Sequence, residues 1–324
     1  MLLVTHNKNN KKVNKVLIRI CTGLMATMLI CSFAGCKKKS EEKYAMKVGD
    51  ETLTAGELRY YAYNAQASYE TYYLASGNHI HWNEGKNGET IESKVKDQTL
   101  EDVINKYKLI SHADDFEVDK KDIRKKDVDD MVKNYKDNTA EVLKKKVNAT
   151  DKELEDIFTT YIMYDEICEY IKEKYDLSVD REIYRQVSIN LIEVKGEKSE
   201  EIATKICSEV NKGGKIVDVA AKYKQEVIEG SIGAGDRDRD KIELACLAMK
   251  TGECVSVNTD LKNYVIYCVN DNDEKATEII AKDKEEDRLK DQIKILIKNY
   301  KDSVKIDEKL WDEINFNEPI FEEK

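Results

Sequence analysis

The sequence predicts an α+β protein: a mostly helical body, formed by the N-terminal part and a C-terminal helix, with a compact α+β unit inserted between them. Three observations lead there. Apolar residues keep helical spacing in separate segments between Leu58 and about Tyr175. The pattern switches to strand-like alternation at Val187, Ile189 and Leu191. Helical spacing returns at Leu289, Ile293, Leu296, Ile297 and Tyr300, after an interval of short strands and helices over residues 184–270.

The helical body opens on residues 44–54, where Gly49-Asp50 is a turn between two short β-prone pieces. Thr54 and Glu57 have capping-box spacing, so a helix starts there and continues through Leu58, Tyr61, Ala62, Ala65 and Tyr69. Residues 76–90 are rich in Gly, Asn and His and read as a loop. Leu100, Val103, Ile104, Tyr107 and Ile110 mark a second amphipathic helix. The charged stretch Asp119 to Lys146 carries only a sparse apolar stripe and reads as a solvated helix. Leu154, Ile157, Phe158, Tyr161 and Ile162 mark another helix.

In the α+β unit, the strand around Val187 is followed by a helix through Ile202, Ile206 and Val210 that stops at Gly213-Gly214. A short helical piece at 216–223, a Gly-rich loop from Gly230 to Gly235, a helix at 242–249 and strands at 254–258 and 264–269 complete it. The last helix, through Leu289 and Ile297, is too polar to stand alone and must pack on another helical region.

Composition narrows the function classes. A length of 324 residues suits two or three domains, and 41% hydrophobic residues exclude wholesale disorder. A net charge of −10 excludes a general nucleic-acid binder, which needs a basic face for phosphate. A mean hydropathy of −0.64 excludes a polytopic membrane protein.

Residues 1–35 differ from the rest. They hold Lys8, Lys11, Lys12, Lys15 and Arg19 and no acid, and Ile20 to Gly35 is an uncharged run of 16 residues. That is a basic n-region followed by an h-region too short to span a bilayer. The run ends in Phe33-Ala34-Gly35-Cys36 before Lys37-Lys38-Lys39, which resembles a bacterial lipobox with Phe33 in place of the usual leucine. The resemblance makes Cys36 the lipidated first residue of the mature chain. Removing the five positive residues of the leader takes the net charge from −10 to −15. Five cysteines then remain, at 168, 207, 246, 254 and 268, an odd and scattered set that reads as buried thiols rather than a disulfide framework.

Several segments together resemble the extracellular foldase lipoproteins of the PrsA type and their periplasmic SurA-type relatives. Val48-Gly49-Asp50-Glu51-Thr52-Leu53-Thr54 with Glu57-Leu58, and Leu100 to Ala113 with Phe116-Glu117-Val118-Asp119, are similar to the opening and the second signature of their helical chaperone domain. Val187 to Val194, Gly213 to Tyr223, Gly230 to Gly235, Leu247 to Ser256 and Asn263 to Val269 are similar to a parvulin-type peptidyl-prolyl isomerase domain. The most specific piece is Met249-Lys250-Thr251-Gly252-Glu253. The resemblance implies this organisation: signal peptide 1–35, lipid-anchored linker 36–43, helical chaperone domain 44–180, parvulin-like domain 184–272, and a C-terminal helix within 273–324 packing on the helical domain.

Carried over residue by residue, the isomerase site is depleted. Asn190 and Val265 stand where the family has histidines, and no histidine lies between 184 and 270. The family's acid or cysteine falls near Glu226, and two positions that line its proline pocket fall on Ile242 and Leu247. Rotation about an X-Pro bond faces a barrier of about 18–20 kcal/mol, so catalysis needs an apolar grip on the ring and a polar network on the twisted amide. Val265 cannot supply the second, and Ile242 offers less surface than an aromatic. The expectation is a membrane-anchored extracytoplasmic foldase of a bacterial, Gram-positive cell that shelters unfolded or partly folded exported proteins, with weak or lost isomerase activity. The alternatives are an active isomerase using Glu226 and Asn190 in an altered site, and a non-catalytic structural lipoprotein. A homodimer is left open.

Six tyrosines fall between residues 60 and 73. Helical spacing assigns Tyr61, Tyr69 and Tyr72 to the core, which leaves Tyr60, Tyr63 and Tyr73 either on an exposed client-binding face or at the core's rim. His79-Ile80-His81 lacks a third ligand, Asp236-Asp238-Asp240 breaks the calcium-loop pattern at Lys241 and Leu247, and Gly230–Gly235 lacks a following Lys-Ser/Thr. No metal and no cofactor are expected. Asn148-Ala149-Thr150 is a formal glycosylation sequon of little meaning in a bacterial lipoprotein.

Overall fold

The computed structural model describes residues 44–86, 88–237 and 240–321. The leader, Cys36, the linker to residue 43 and Asp238 lie outside the described residues. Two compact units form: Ser178–Arg288, and a second made of the described residues up to Leu177 with those from Leu289 onward. The fold is α+β, with an α+β segment inserted into a mainly helical one.

In the helical unit, β1 (Met46–Val48) and β2 (Glu51–Leu53) make a hairpin with Met46 opposite Leu53. Its turn needs glycine. Gly49 has φ +58°, and a β-carbon there would lie 2.4 Å from the Ser111 hydroxyl. Helix α1 (Ala55–Ala75) starts at the expected capping box. The Glu57 amide donates to Thr54 Oγ1 at 3.2 Å, and the Thr54 amide donates to the Glu57 carboxylate at 2.6 Å. The loop that follows contains a small hairpin, β3 (Gly85–Lys86) with β4 (Glu89–Thr90).

Helix α2 spans Ile91–Ser111. The charged stretch forms two helices rather than one, α3 (Lys125–Asn138) and α4 (Glu141–Val147). The break, at Thr139 and Ala140, falls just past the last buried position of the Val128, Val132, Tyr135 stripe. Helix α5 (Asp151–Lys174) has its own capping box, Thr150 with Glu153. The Glu153 carboxylate also accepts from Thr54 Oγ1 at 2.5 Å, so one acid ties two helix starts together.

The α+β unit is a four-stranded antiparallel sheet of β5 (Gln186–Val194), β6 (Ile228–Gly233), β7 (Cys254–Asn258) and β8 (Asn263–Asn270), in the order β6-β5-β8-β7. Helices α6 (Ser199–Asn211) and α7 (Ile216–Lys222) bury Ile206, Val210 and Val219 against Ile192, Val194 and Val265. Helix α8 (Lys241–Ala248) buries Ile242 and Cys246 against Val187, Ile189 and Ile266. The sheet is thus covered on both faces, and β5 buries Val187, Ile189 and Leu191 on one of them and Ile192 and Val194 on the other.

The expected Gly230–Gly235 loop is instead mostly an edge strand. Gly230 pairs with Ile189 and Gly233 with Gln186. A β-carbon at Gly233 would lie 2.0 Å from Gln186 Nε2, so this glycine serves close packing rather than a turn. Helix α9 (Glu274–Ile297) is long, and its Leu289 and Ile293 pack in the helical unit against Leu109, Ile167 and Ile171. The chain then forms β9 (Val304–Ile306), which pairs with β1, and α10 (Glu308–Glu313). Residues 314–321 carry no regular structure. The C-terminal part is therefore more than a helix. All five described cysteines are buried. Among the described residues, no helix is long and apolar enough to cross a membrane.

Candidate functional site

The five carried-over isomerase positions do not form one site. Strand pleating sends alternate side chains to opposite faces, and this sorts them. Asn190 is half-buried in the middle of β5, opposite Tyr267 of β8 and Glu229 of β6, on the same face as Ile192 and Val194. Val265 lies opposite Ile192 on that face and is fully buried beneath α6 and α7. Ile242, fully buried, and Leu247, half-buried, sit on α8 under the other face. Glu226 is exposed in the loop between α7 and β6. The sheet therefore stands between Asn190 and Val265 on one side and Ile242 and Leu247 on the other. Of the two positions carried over to a proline pocket, Ile242 is taken up by core packing and Leu247 is half-buried.

The segment after β6 is held by an acid that the sequence reading passed over. Glu243, 1% exposed, accepts from the amides of Gly235 at 2.8 Å and Arg237 at 2.9 Å. Asp240 caps α8 through the Ile242 and Glu243 amides, and its carboxylate pairs with Arg237. The signal was the Asp240-x-x-Glu243 spacing, which belongs to a helix start and not to a calcium loop.

In the helical unit, Tyr60 and Tyr63 are core residues, 7% and 8% exposed, and not parts of a free face. The Tyr60 ring lies 5.6 Å from Tyr135 and 5.9 Å from Phe158, centroid to centroid. Tyr63 lies 6.3 Å from Phe316. Helix α1 is enclosed by α2, α4 and α5 and by the C-terminal segment, so its first turns have no open side. Only its end emerges. Tyr73 is half-buried there, and Tyr72, assigned by spacing to the core, is 61% exposed beside it. His79 and His81 are exposed. Among the described residues, no three His, Cys, Asp or Glu side chains are grouped to hold a metal ion.

Lys106 was also invisible to pattern reading, although it interrupts the stripe of α2. Its Nζ stands 3.9 Å from the Tyr161 ring centroid, 5.0 Å from Tyr61 and 5.1 Å from Tyr164. Burial pulls its ammonium down to about 8.

The third feature is a groove along α1, α2 and α4 that holds residues 311–321. Lys96 Nζ donates to the carbonyls of Trp311 at 2.9 Å and Ile314 at 2.6 Å. Gln66 Nε2 donates to the carbonyls of Phe316 at 3.3 Å and Glu318 at 2.9 Å, and Lys146 also donates to Glu318. The Glu92 carboxylate accepts the Phe316 amide at 3.1 Å. Glu70 accepts the Ile320 and Phe321 amides at 2.8 and 3.2 Å through one oxygen, and Gln66 and Trp82 through the other. The Phe316 ring, fully buried, sits 4.8 Å from Trp82. Desolvation lowers the pKa of both Lys96 and Lys146.

No protein-family model and no curated protein matches this chain. Solved structures do. PrsA from Bacillus cereus is 17% identical, with 72% of this chain and 97% of that chain covered and a TM-score of 0.30. PrsA from Bacillus anthracis is 18% identical, with 61% and 95% covered and a TM-score of 0.28. One of the SurA-like chaperones of Campylobacter jejuni is 11% identical, with 82% and 98% covered and a TM-score of 0.26. In structure, then, the chain is similar to PrsA foldases and SurA-like chaperones.

Proposed function

We propose that this protein is a membrane-anchored, extracytoplasmic foldase that binds unfolded exported polypeptides and has little or no peptidyl-prolyl isomerase activity. The observation that carries the reading is the dispersal of the isomerase positions. Ile242 and Val265 are both fully buried, on opposite faces of one sheet. Binding is left as the task, with the α+β segment serving as a second binding lobe. The lipobox-like Phe33-Ala34-Gly35-Cys36 supports anchoring through lipid on Cys36. Each buried CH₂ of a lipid chain contributes about 0.8 kcal/mol. The acidic body supports standing off an anionic bilayer while Lys37, Lys38 and Lys39 hold the tether close.

Two assays test this together. The full chain suppresses aggregation of a chemically denatured protein at near-equimolar ratio, and it leaves the protease-coupled isomerisation of a proline tetrapeptide at the uncatalysed rate. Turnover comparable to an intact parvulin refutes the loss of catalysis. Absence of suppression refutes the foldase reading and leaves a structural lipoprotein.

A further inference from the structure

We propose that the groove on α1, α2 and α4 is the site where this protein holds extended, unfolded polypeptide, and that its own residues 314–321 occupy that groove as an intramolecular competitor. The proposal rests on the client-binding reading above and gives it a place. Recognition of the segment falls mainly on its backbone. Four carbonyls and three amides between Trp311 and Phe321 are met by Lys96, Glu92, Gln66, Lys146 and Glu70. Every residue presents that carbonyl and every residue but proline that amide, so the groove reads chain rather than sequence.

The groove also demands a chain. With the segment in place Gln66 is fully buried and Glu70 is 4% exposed, and an empty groove would take from Glu70 both donors to one carboxylate oxygen and from the Gln66 amide two of its three acceptors. An occupant must offer donors and acceptors in alternation, as an extended peptide does and a lipid or a purely apolar ligand does not. Its side chains need only fill the pockets of Ile314, Phe316 and Ile320, the last two four residues apart. Between them lies Pro319, the single proline of the chain, at a position where no amide hydrogen is used.

The segment can leave without dismantling the sheet. Strand β9 is paired to β1 upstream of it, and the last backbone hydrogen bond among the described residues before the segment joins the Ile314 amide to the Trp311 carbonyl. From Asn315 to Phe321 the segment's hold is on side chains of the helices. An unfolded protein presenting an aromatic residue, and an aliphatic one four positions on, competes for the same contacts.

The test uses the full chain and, as probe, α-lactalbumin kept unfolded by reduction and carboxymethylation. Fluorescence anisotropy is expected to show at least fivefold tighter binding to a Phe316→Ala/Ile320→Ala variant than to the unmodified chain. A synthetic peptide of residues 311–321 is expected to displace the probe. Hydrogen exchange on the unmodified chain covers the case in which the variant does not fold. There the Ile320 and Phe321 amides are expected to exchange at least tenfold faster when the probe is added. Exchange at the rate of α1 core amides, unmoved by probe, overturns the proposal. Probe binding with the tail amides unmoved overturns the proposal and leaves the foldase reading standing. No probe binding by either form overturns both.

Discussion

Removing the Glu70 carboxylate tests how the helical unit holds its C-terminal end. Glu70 accepts four hydrogen bonds, from Gln66, Trp82, Ile320 and Phe321. A hydrogen bond to a charged group is worth about 1.5–3 kcal/mol, so four would nominally exceed 6. They do not add, because once the segment lets go its amides are rehydrated. Taking one partner out of a buried charged network costs about 3–5 kcal/mol, and the lower end applies here for that reason. Glu70→Ala is therefore expected to lose about 3 kcal/mol. Glu70→Gln, which keeps one carbonyl oxygen, is expected to lose about 1–2 kcal/mol. The chain's two tryptophans, Trp82 and Trp311, both lie in the helical unit, so urea unfolding followed by tryptophan fluorescence reports that unit alone. With a slope near 2 kcal/mol per molar urea, the Ala variant's midpoint falls by about 1.5 M. A fall below about 0.3 M would refute the reasoning, since the carboxylate would then be dispensable to the groove.

Two further outcomes follow from the same geometry. Asn190→His/Val265→His places histidines at both family positions, yet isomerase turnover is expected to stay at background because Ile242 and Leu247 remain on the other face. The buried imidazole at 265 costs about 1–3 kcal/mol of stability, read by urea titration followed by circular dichroism, and a tenfold gain in turnover contradicts the account. For Lys106, burial lowers the folded pKa to about 8 from an ordinary 10.5. Between those values the unfolded chain binds more protons than the folded one, so stability rises with pH, and below about 8 the strain of the buried ammonium is fully present. The helical unit is expected to gain about 1–2 kcal/mol from pH 8 to 9.5 relative to Lys106→Met, measured as the difference between their urea midpoints, and parallel curves contradict it.

Local signals were legible where one residue's chemistry decides the outcome. Thr54-x-x-Glu57 starts α1 because a hydroxyl and a carboxylate three residues apart satisfy each other's amides in any context. Val187, Ile189 and Leu191 announce β5 because a strand's side chains alternate regardless of partner. The Gly230–Gly235 misreading came from treating glycine as a turn signal, when at Gly233 it answers to the nearby Gln186 amide. Tyr60 and Tyr63 were read from α1 alone, and what buries them comes from elsewhere: Tyr135 and Phe158 in one case, Phe316 in the other.

The amino-acid order alone set the α+β class, the change of period near residue 187 and the replacement of both family histidines, because these rest on spacing and identity within a short window. Only the folded chain decided that Asn190 and Ile242 fall on opposite faces of one sheet, that α1 has no open side along its first turns, and that residues 311–321 lie in a groove lined by side chains more than 160 positions earlier in sequence. Those outcomes depend on which surfaces meet across long loops, and no local pattern encodes the partner.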